Sequence, residues 1–90
     1  MSIDEILEWV IKICKYHEVQ EVILFGSWAK GTANEYSDID IAVRGTKDIE
    51  KLREDIEGIL TLRSFDIVDM ESCKNELLLK EIEQYGRKIL

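Results

Sequence analysis

The chain of 90 residues is long enough for one small domain, and its 46% hydrophobic content supplies a core, which excludes a disordered segment. The formal net charge of −7 excludes a nucleic-acid backbone as the main partner, because such binding needs clustered lysine and arginine. A free nucleotide held through metal ions stays open.

The first predicted elements are an amphipathic helix and a buried strand. Ser2 and Glu5 form a capping-box pattern, and apolar residues then recur at helical spacing, which predicts a helix over residues 3–17. The β-branched run EVILF at 21–25, closed by Gly26, predicts a buried strand.

A short helical segment, a strand and a longer helix follow. The segment SWAKGT predicts a helical turn or short helix capped by Ser27, and DIDIAV at 38–43 predicts the second strand. An amphipathic helix is predicted over 47–61. Its apolar positions are Ile49, Leu52, Ile56, Ile59 and Leu60.

The last third of the chain repeats this alternation. The run SFDIVDM at 64–70 predicts a third strand, Ser72 is expected to cap a last helix that ends at Gly86, and RKIL is expected to form an extended tail. The order α-β-α-β-α-β-α predicts an α+β fold with α/β-type alternation. Because no linker or internal repeat interrupts it, residues 1–90 are expected to form a single domain.

Three aspartates are predicted to share one face of the sheet. Side chains alternate along a strand, so Asp38 and Asp40 face away from the apolar Ile39 and Ile41. The same alternation turns Asp66 towards the first two aspartates if the second and third strands are neighbours. Such carboxylates suit hard cations such as Mg²⁺, which would relieve their mutual repulsion.

The turn after the first strand is predicted to bind phosphate. Gly26 lets the backbone approach a phosphate closely, and the hydroxyl of Ser27 with nearby backbone amides forms an anion site. A triphosphate would then lie between this turn and the metal ions. Two metal ions stabilise the attacking and leaving oxygens of an in-line displacement at phosphorus.

The stretch GSWAKGTANEYSDIDIAV resembles the G-S-x10-D-x-D signature of the nucleotidyltransferase superfamily that contains DNA polymerase β. Its length, its helix-first order and the third acid in FDIV resemble the minimal nucleotidyltransferases, the MNT group, over roughly residues 1–88. The resemblance implies the nucleotidyltransferase fold, a small mixed β-sheet with helices packed on one face.

The resemblance also implies a role for each matched residue. Gly26 and Ser27 would bind the nucleotide phosphates, and Asp38 and Asp40 would bind two Mg²⁺ ions. Asp66 would ligate one metal ion and help to deprotonate the acceptor hydroxyl. The substrate would be ATP, from which AMP is transferred with release of pyrophosphate.

Two residues of the motif region have open interpretations. Members of the superfamily often have arginine where this chain has Trp28, so Trp28 is expected either to wall the nucleotide pocket or to pack in the fold. Lys30 follows as the basic residue of the segment. It is expected either to bind a nucleotide phosphate or to lie solvated on its helix.

The resemblance implies a function as well as a fold. MNT proteins are commonly paired with HEPN-domain toxins, so the expected acceptor is a hydroxyl, chiefly of tyrosine, on such a partner, and this chain would act as the antitoxin. The exposed sheet edge, Trp9 and the RKIL tail are expected contact surfaces in a homo- or hetero-oligomer. Two alternatives stay open: a binding antitoxin that silences its partner by contact alone, and transfer to a small molecule such as an antibiotic.

The sequence also favours a cytoplasmic location. Cys14 and Cys73 match no metal-ligand spacing, and Cys14 fits a reduced core residue. The stretch MSIDEILEWV lacks the features of a signal peptide, and no apolar run approaches the roughly 20 residues that span a bilayer. Neither a membrane partner nor direct nucleic-acid binding is expected.

Overall fold

The structure, a computed structural model, describes residues 2–59, residue 61 and residues 63–90. Within these residues, four helices and four strands follow one another in the predicted order, with a short strand added at the end. In chain order the elements are α1 (Ile3–Tyr16), β1 (Glu21–Phe25), α2 (Ser27–Lys30), β2 (Ile39–Arg44), α3 (Ile49–Glu57), β3 (Phe65–Asp69), α4 (Glu76–Tyr85) and β4 (Arg87–Lys88).

The strands form one mixed sheet in the order β3-β2-β1-β4. Strand β2 runs antiparallel to β1 and parallel to β3, and β4 runs antiparallel to β1. The predicted RKIL tail is extended, and it is held against β1 beyond β4 as well. The N–H of Val22 donates to the carbonyl oxygen of Leu90 at 2.9 Å, and the N–H of Ile89 donates to that of Val22 at 2.8 Å.

Helices α1 and α3 pack side by side on one face of the sheet. Their buried side chains meet those of β1, β2 and β3 in the larger core cluster, which contains Ile6, Val10, Cys14, Val19, Val22, Leu24, Ile39, Ile41, Val43, Leu52, Ile56 and Ile67. Each of these side chains removes apolar surface from water, which is the main source of stability for a domain of this size. The predicted reduced core position of Cys14 is confirmed.

Helix α4 packs on the opposite face, so the expectation that the helices pack on one face is wrong for this helix. Ile82 of α4 lies in a second buried cluster with Phe25, Ala42 and Met70. The part of this face that follows Asp40 along β2 is apolar, and Ala42 in that part is fully buried. An uncovered sheet face of this composition would expose apolar surface, and α4 provides the cover.

Some helix ends differ from the prediction. The capping box of Ser2 and Glu5 is confirmed, but Ser72 does not cap α4. The cap is Asn75, whose Oδ1 accepts a hydrogen bond from the N–H of Leu78 at 3.1 Å. Helix α3 is shorter than 47–61 at both ends because Asp48 caps its start and Gly58 its end, and Leu60 lies outside the described residues.

Contacts between elements fix the helices on the sheet. The ring nitrogen Nε2 of His17 lies 2.7 Å from Oδ2 of Asp55, which joins the end of α1 to α3. Arg53 of α3 donates to the carbonyl oxygen of Ile67 at 3.0 Å, at the edge strand β3. None of the helices in the described part of the chain has the length and apolar character to cross a membrane.

Gly86 joins α4 to the sheet through a close backbone approach. Its N–H donates to the carbonyl oxygen of Ile82 at 2.9 Å, and its own backbone is extended. A Cβ atom at this position would overlap the Ile82 carbonyl oxygen and Cγ2 of Ile23. The absence of a side chain therefore sets the distance between α4 and β1.

Gly86→Ala is expected to lower the free energy of unfolding by about 1–3 kcal/mol, the usual cost of overpacking a tight contact. The matched control is Gly58→Ala, where the backbone is helical and the nearest atom to a new Cβ is 3.3 Å away. That control is expected to stay within about 1 kcal/mol of wild type. Urea denaturation followed by circular dichroism measures both, and equal effects would contradict the tight contact.

Candidate functional site

Strands β2 and β3 bring the predicted aspartates together. The two strands are parallel neighbours, and Asp40 pairs directly with Asp66 in their register. Asp38 lies one residue before β2 begins, with the same parity as Asp40, while Ile39 between them is fully buried on the other face. The condition set by the sequence, that these strands be neighbours, is met.

Asp40 is the most constrained of the three acids. It is partly buried, whereas Asp38 and Asp66 are exposed. Burial, followed by the negative charges of Asp66, Asp38 and Glu81 in that order, raises the pKa of Asp40 from 3.8 to about 6. The face therefore carries an excess of negative charge that a bound cation would relieve.

The acids share a face without forming a closed cage. Among residues 2–59, 61 and 63–90, no three acidic, histidine or cysteine side chains converge as a ready-made metal site. Mg²⁺ usually takes one or two carboxylates and completes its octahedron with water and substrate phosphate oxygens. An open carboxylate face of this kind fits a metal ion that arrives together with a phosphorylated substrate.

Gly26 lies against Asp40 at the end of β1. Phe25 pairs with Asp40 in the β1–β2 register, and a Cβ on Gly26 would overlap the Asp40 carboxylate. Gly26 also has φ +72° and ψ −152°, a conformation that residues with a side chain rarely adopt. Glycine is thus required twice, for the backbone conformation and for the space that the carboxylate occupies.

Ser27 begins α2 instead of capping it, so the predicted capping role is wrong. Gly26 is the N-cap, and its carbonyl oxygen accepts hydrogen bonds from the N–H groups of Ala29 at 3.2 Å and Lys30 at 3.1 Å. The backbone N–H groups of Ser27 and Trp28 come earlier in the chain than the donors of these first hydrogen bonds within the helix. They stand at the turn where the sequence predicts phosphate binding.

Trp28 packs in the fold, which decides between its two interpretations. Its ring lies against the larger core cluster, and its Nε1 donates to the carbonyl oxygen of Ser37 at 3.3 Å. The guanidinium carbon of Arg63 lies 4.8 Å from the ring centroid. Because Ser37 immediately precedes Asp38, Trp28 holds the loop that delivers the first aspartate.

The side chain of Lys30 reaches to α4 and stays exposed to solvent. Its ammonium forms an ion pair with Oε1 of Glu81 and lies 5.1 Å from the ring centroid of Tyr85. The hydrogen bond to Glu81 raises the pKa of Lys30. Sequence reasoning missed Glu81 and Tyr85, and the only signal was their spacing of four residues, which puts them on one side of a helix.

Asp69, by contrast, takes no part in the acidic face. It ends β3, and its Oδ1 accepts a hydrogen bond from the N–H of Glu71 at 3.0 Å. Asp69 therefore serves the turn that follows β3.

Comparisons with known proteins agree with this geometry. The sequence model of the family described as "Polymerase beta, Nucleotidyltransferase" matches residues 8–90. Two relatives from Methanocaldococcus jannaschii bear the name "Putative protein adenylyltransferase". The one designated MJ1379 is 37% identical over 91 residues, covering 92% of this chain and 90% of the relative. The one designated MJ1305 is 39% identical over 90 residues, covering 97% of this chain and 51% of the relative.

Solved structures of toxin-antitoxin complexes share the fold. One is a toxin-antitoxin crystallised with AMP-PNP, which matches with a TM-score of 0.76 and 28% identity over 92% of this chain and 71% of that chain. Another is a mutant of the toxin-antitoxin MntA-HpeT, with a TM-score of 0.72 and 27% identity over 90% and 69% of the two chains. The mixed α+β fold expected from the sequence is confirmed. The chain belongs to the polymerase β nucleotidyltransferase family, in its minimal nucleotidyltransferase group, and is therefore a nucleotidyltransferase.

Proposed function

We propose that this protein transfers AMP from ATP to a hydroxyl group of a partner protein, and that it does so with two Mg²⁺ ions. The observation that carries the proposal is the carboxylate face of Asp38, Asp40 and Asp66, set against the Gly26 turn. Two further findings support it. Relatives bear the name of protein adenylyltransferase, and a structural neighbour was crystallised with AMP-PNP.

Each residue has a role in the proposed reaction. Asp38 and Asp40 would hold the two Mg²⁺ ions, which would neutralise negative charge on the attacking and leaving oxygens. The backbone of Gly26 and Ser27 binds the triphosphate, and Lys30 donates to one of its oxygens. Carboxylate oxygens are the donors that Mg²⁺ prefers, so the residues present fit the ion.

The transfer balances as an in-line displacement. The acceptor hydroxyl loses its proton to Asp66, and its oxygen forms a bond to the α-phosphorus of ATP. The bond from that phosphorus to the bridging oxygen breaks, and pyrophosphate leaves. The raised pKa of the neighbouring Asp40 reflects how strongly this face favours positive charge or protons.

The acceptor is proposed to be a tyrosine of a HEPN-domain toxin, which this chain silences as an antitoxin. The structural neighbours are toxin-antitoxin complexes. Trp9 and Leu77 are large exposed apolar residues available for such a contact, with exposed fractions of 49% and 80%. In the RKIL tail the side chains of Arg87 and Lys88 are exposed, whereas Ile89 and Leu90 pack against the larger core cluster.

Incubation of the protein with ATP labelled at the α-phosphate, Mg²⁺ and its co-purifying partner is expected to label the partner. Asp40→Asn is expected to lower the labelling rate at least about a hundredfold, since it removes a charge that faces the reacting phosphate. The matched control is Asp69→Asn, in which the turn hydrogen bond is retained and the rate should stay within about twofold.

Three results of this experiment would contradict the proposal. A tight complex without label supports a binding antitoxin that acts by contact alone. A nucleotide-sized mass increment on an antibiotic, with none on the partner, supports transfer to a small molecule. Equal labelling by wild type and Asp40→Asn places the chemistry elsewhere.

Asp40 also gives a pH-dependent prediction for stability. Its pKa is raised in the folded state from 3.8 to about 6, so stability falls as pH rises through this window and stays lower above it. Without metal at pH 7.5, Asp40→Asn is expected to raise Tm by about 2–4 °C, a value reduced for the solvent exposure of the site. At pH 4 the two proteins should melt alike.

Mg²⁺ and ATP are expected to raise Tm in wild type and to raise it much less in Asp40→Asn, because bound ligand stabilises only the folded state. Differential scanning fluorimetry measures both effects, with the exposed Glu83→Gln of α4 as the control for a general loss of negative charge. If Mg²⁺ and ATP do not change the Tm of the wild-type protein, the acidic face is not a metal site.

A further inference from the structure

The ion pair between Lys30 and Glu81 links the two sides of the candidate site. Lys30 is the last residue of α2, directly after the Gly26 turn, and Glu81 lies in the middle of α4. The pair joins residues 51 positions apart in sequence, and each side chain is 37% exposed. The contact therefore links the Gly26 turn to the helix that packs on the same face of the sheet as the aspartates.

A second contact holds the same ammonium group. Tyr85 lies one turn after Glu81 on α4, and its ring centroid is 5.1 Å from Nζ of Lys30. An ammonium over an aromatic face is attracted by the ring quadrupole. With Glu81 on one side and Tyr85 on the other, the end of a long flexible side chain is confined to one place.

Glu81 also faces the aspartates. Its negative charge contributes to the raised pKa of Asp40, so its carboxylate is within electrostatic reach of that residue. The ammonium of Lys30 is bound to this same carboxylate, and the Lys30 side chain stays exposed and open to a ligand. The position is suited to an oxygen of a phosphate that lies between the Gly26 turn and the metal ions.

We propose that Glu81 is a positioning residue for nucleotide binding, which holds Lys30 where its ammonium meets a phosphate oxygen of ATP. This inference rests on the proposed function. An ammonium has three N–H donors, so one bond to Glu81 leaves two for the nucleotide. Because Glu81 and Tyr85 have already ordered the side chain, the entropy loss that would otherwise weaken binding is small.

The ion pair explains why Glu81 acts through Lys30 and not as a further metal ligand. Its Oε1 is already taken by the ammonium of Lys30. Exposed ion pairs contribute little to stability. Loss of the pair should therefore weaken ATP binding with little change in the fold.

A double-mutant cycle tests the inference. Glu81→Ala is expected to raise the Kd and KM for Mg-ATP about fivefold, with kcat changed less than about twofold, because only the placement of Lys30 is lost. In a Lys30→Ala background, Glu81→Ala should have no further effect on Kd. Glu81→Gln, which keeps a hydrogen-bond acceptor, should lie between wild type and Glu81→Ala.

Glu83→Ala is the matched control, since Glu83 is an exposed glutamate two residues away on the same helix. It should leave Kd within about twofold of wild type. Thermal melting of each variant in buffer without nucleotide separates misfolding from a loss of positioning, and the expected Tm values are equal within about 2 °C.

Several outcomes would overturn the inference. A lower Kd in Glu81→Ala would mean that Glu81 competes with the phosphate for Lys30. An undiminished effect in the Lys30→Ala background would mean that Glu81 acts on the metal or nucleotide directly. If wild-type protein binds Mg-ATP but the effects of the two single variants on Kd are additive, only this inference is overturned. If wild-type protein binds no Mg-ATP, the proposed function is overturned as well.

Discussion

Like charge held at one face of a sheet is the constraint on which the site depends. The parallel register of β2 and β3 places Asp40 opposite Asp66, and the alternation of β2 adds Asp38 on the same side. Directly opposed like charges destabilise a sheet. The buried apolar residues on the other face, such as Ile39, Ile41 and Ile67, hold the strands in this register nonetheless. The core thus maintains an arrangement that the aspartates alone would oppose.

The surroundings of the aspartates serve the same arrangement. Gly26 leaves space for the Asp40 carboxylate at the end of β1, and Trp28 ties down the loop that leads to Asp38. A departure from the usual arginine at position 28 therefore has a structural use in this chain. The positive charge of this short helix is carried by Lys30, whose ammonium is held by α4.

Much of the fold and of the site was predictable from the sequence because both follow from short-range periodicity. Strand β1 matched its predicted limits, and side-chain parity alone placed Asp66 with Asp38 and Asp40. Periodicity shows that α4 has an apolar side but not which face of the sheet it covers, so its position was predicted wrongly. The cap of α4 was also wrong, since Ser72 and Asn75 are both good caps and packing decides where the helix starts.

The periodicity of the sequence could not predict the partner of Lys30. Glu81 lies 51 residues away, and nothing local marks it among the acidic residues of the chain. Only the placement of α4 on the face of the aspartates brings the two side chains together. Because of this placement of α4, Lys30 contacts a second element next to the candidate site.

The pairing of the C-terminal segment with β1 has a practical consequence. Strand β1 carries the Gly26 turn at its end, while Ile89 and Leu90 are hydrogen-bonded to Val22 near its beginning. Gly86 fixes the end of α4 against Ile23 of the same strand. An optical or NMR label on the exposed Lys88 would therefore lie on β4, directly beside the strand that ends in the Gly26 turn, and it offers a place to observe that turn from outside the candidate site.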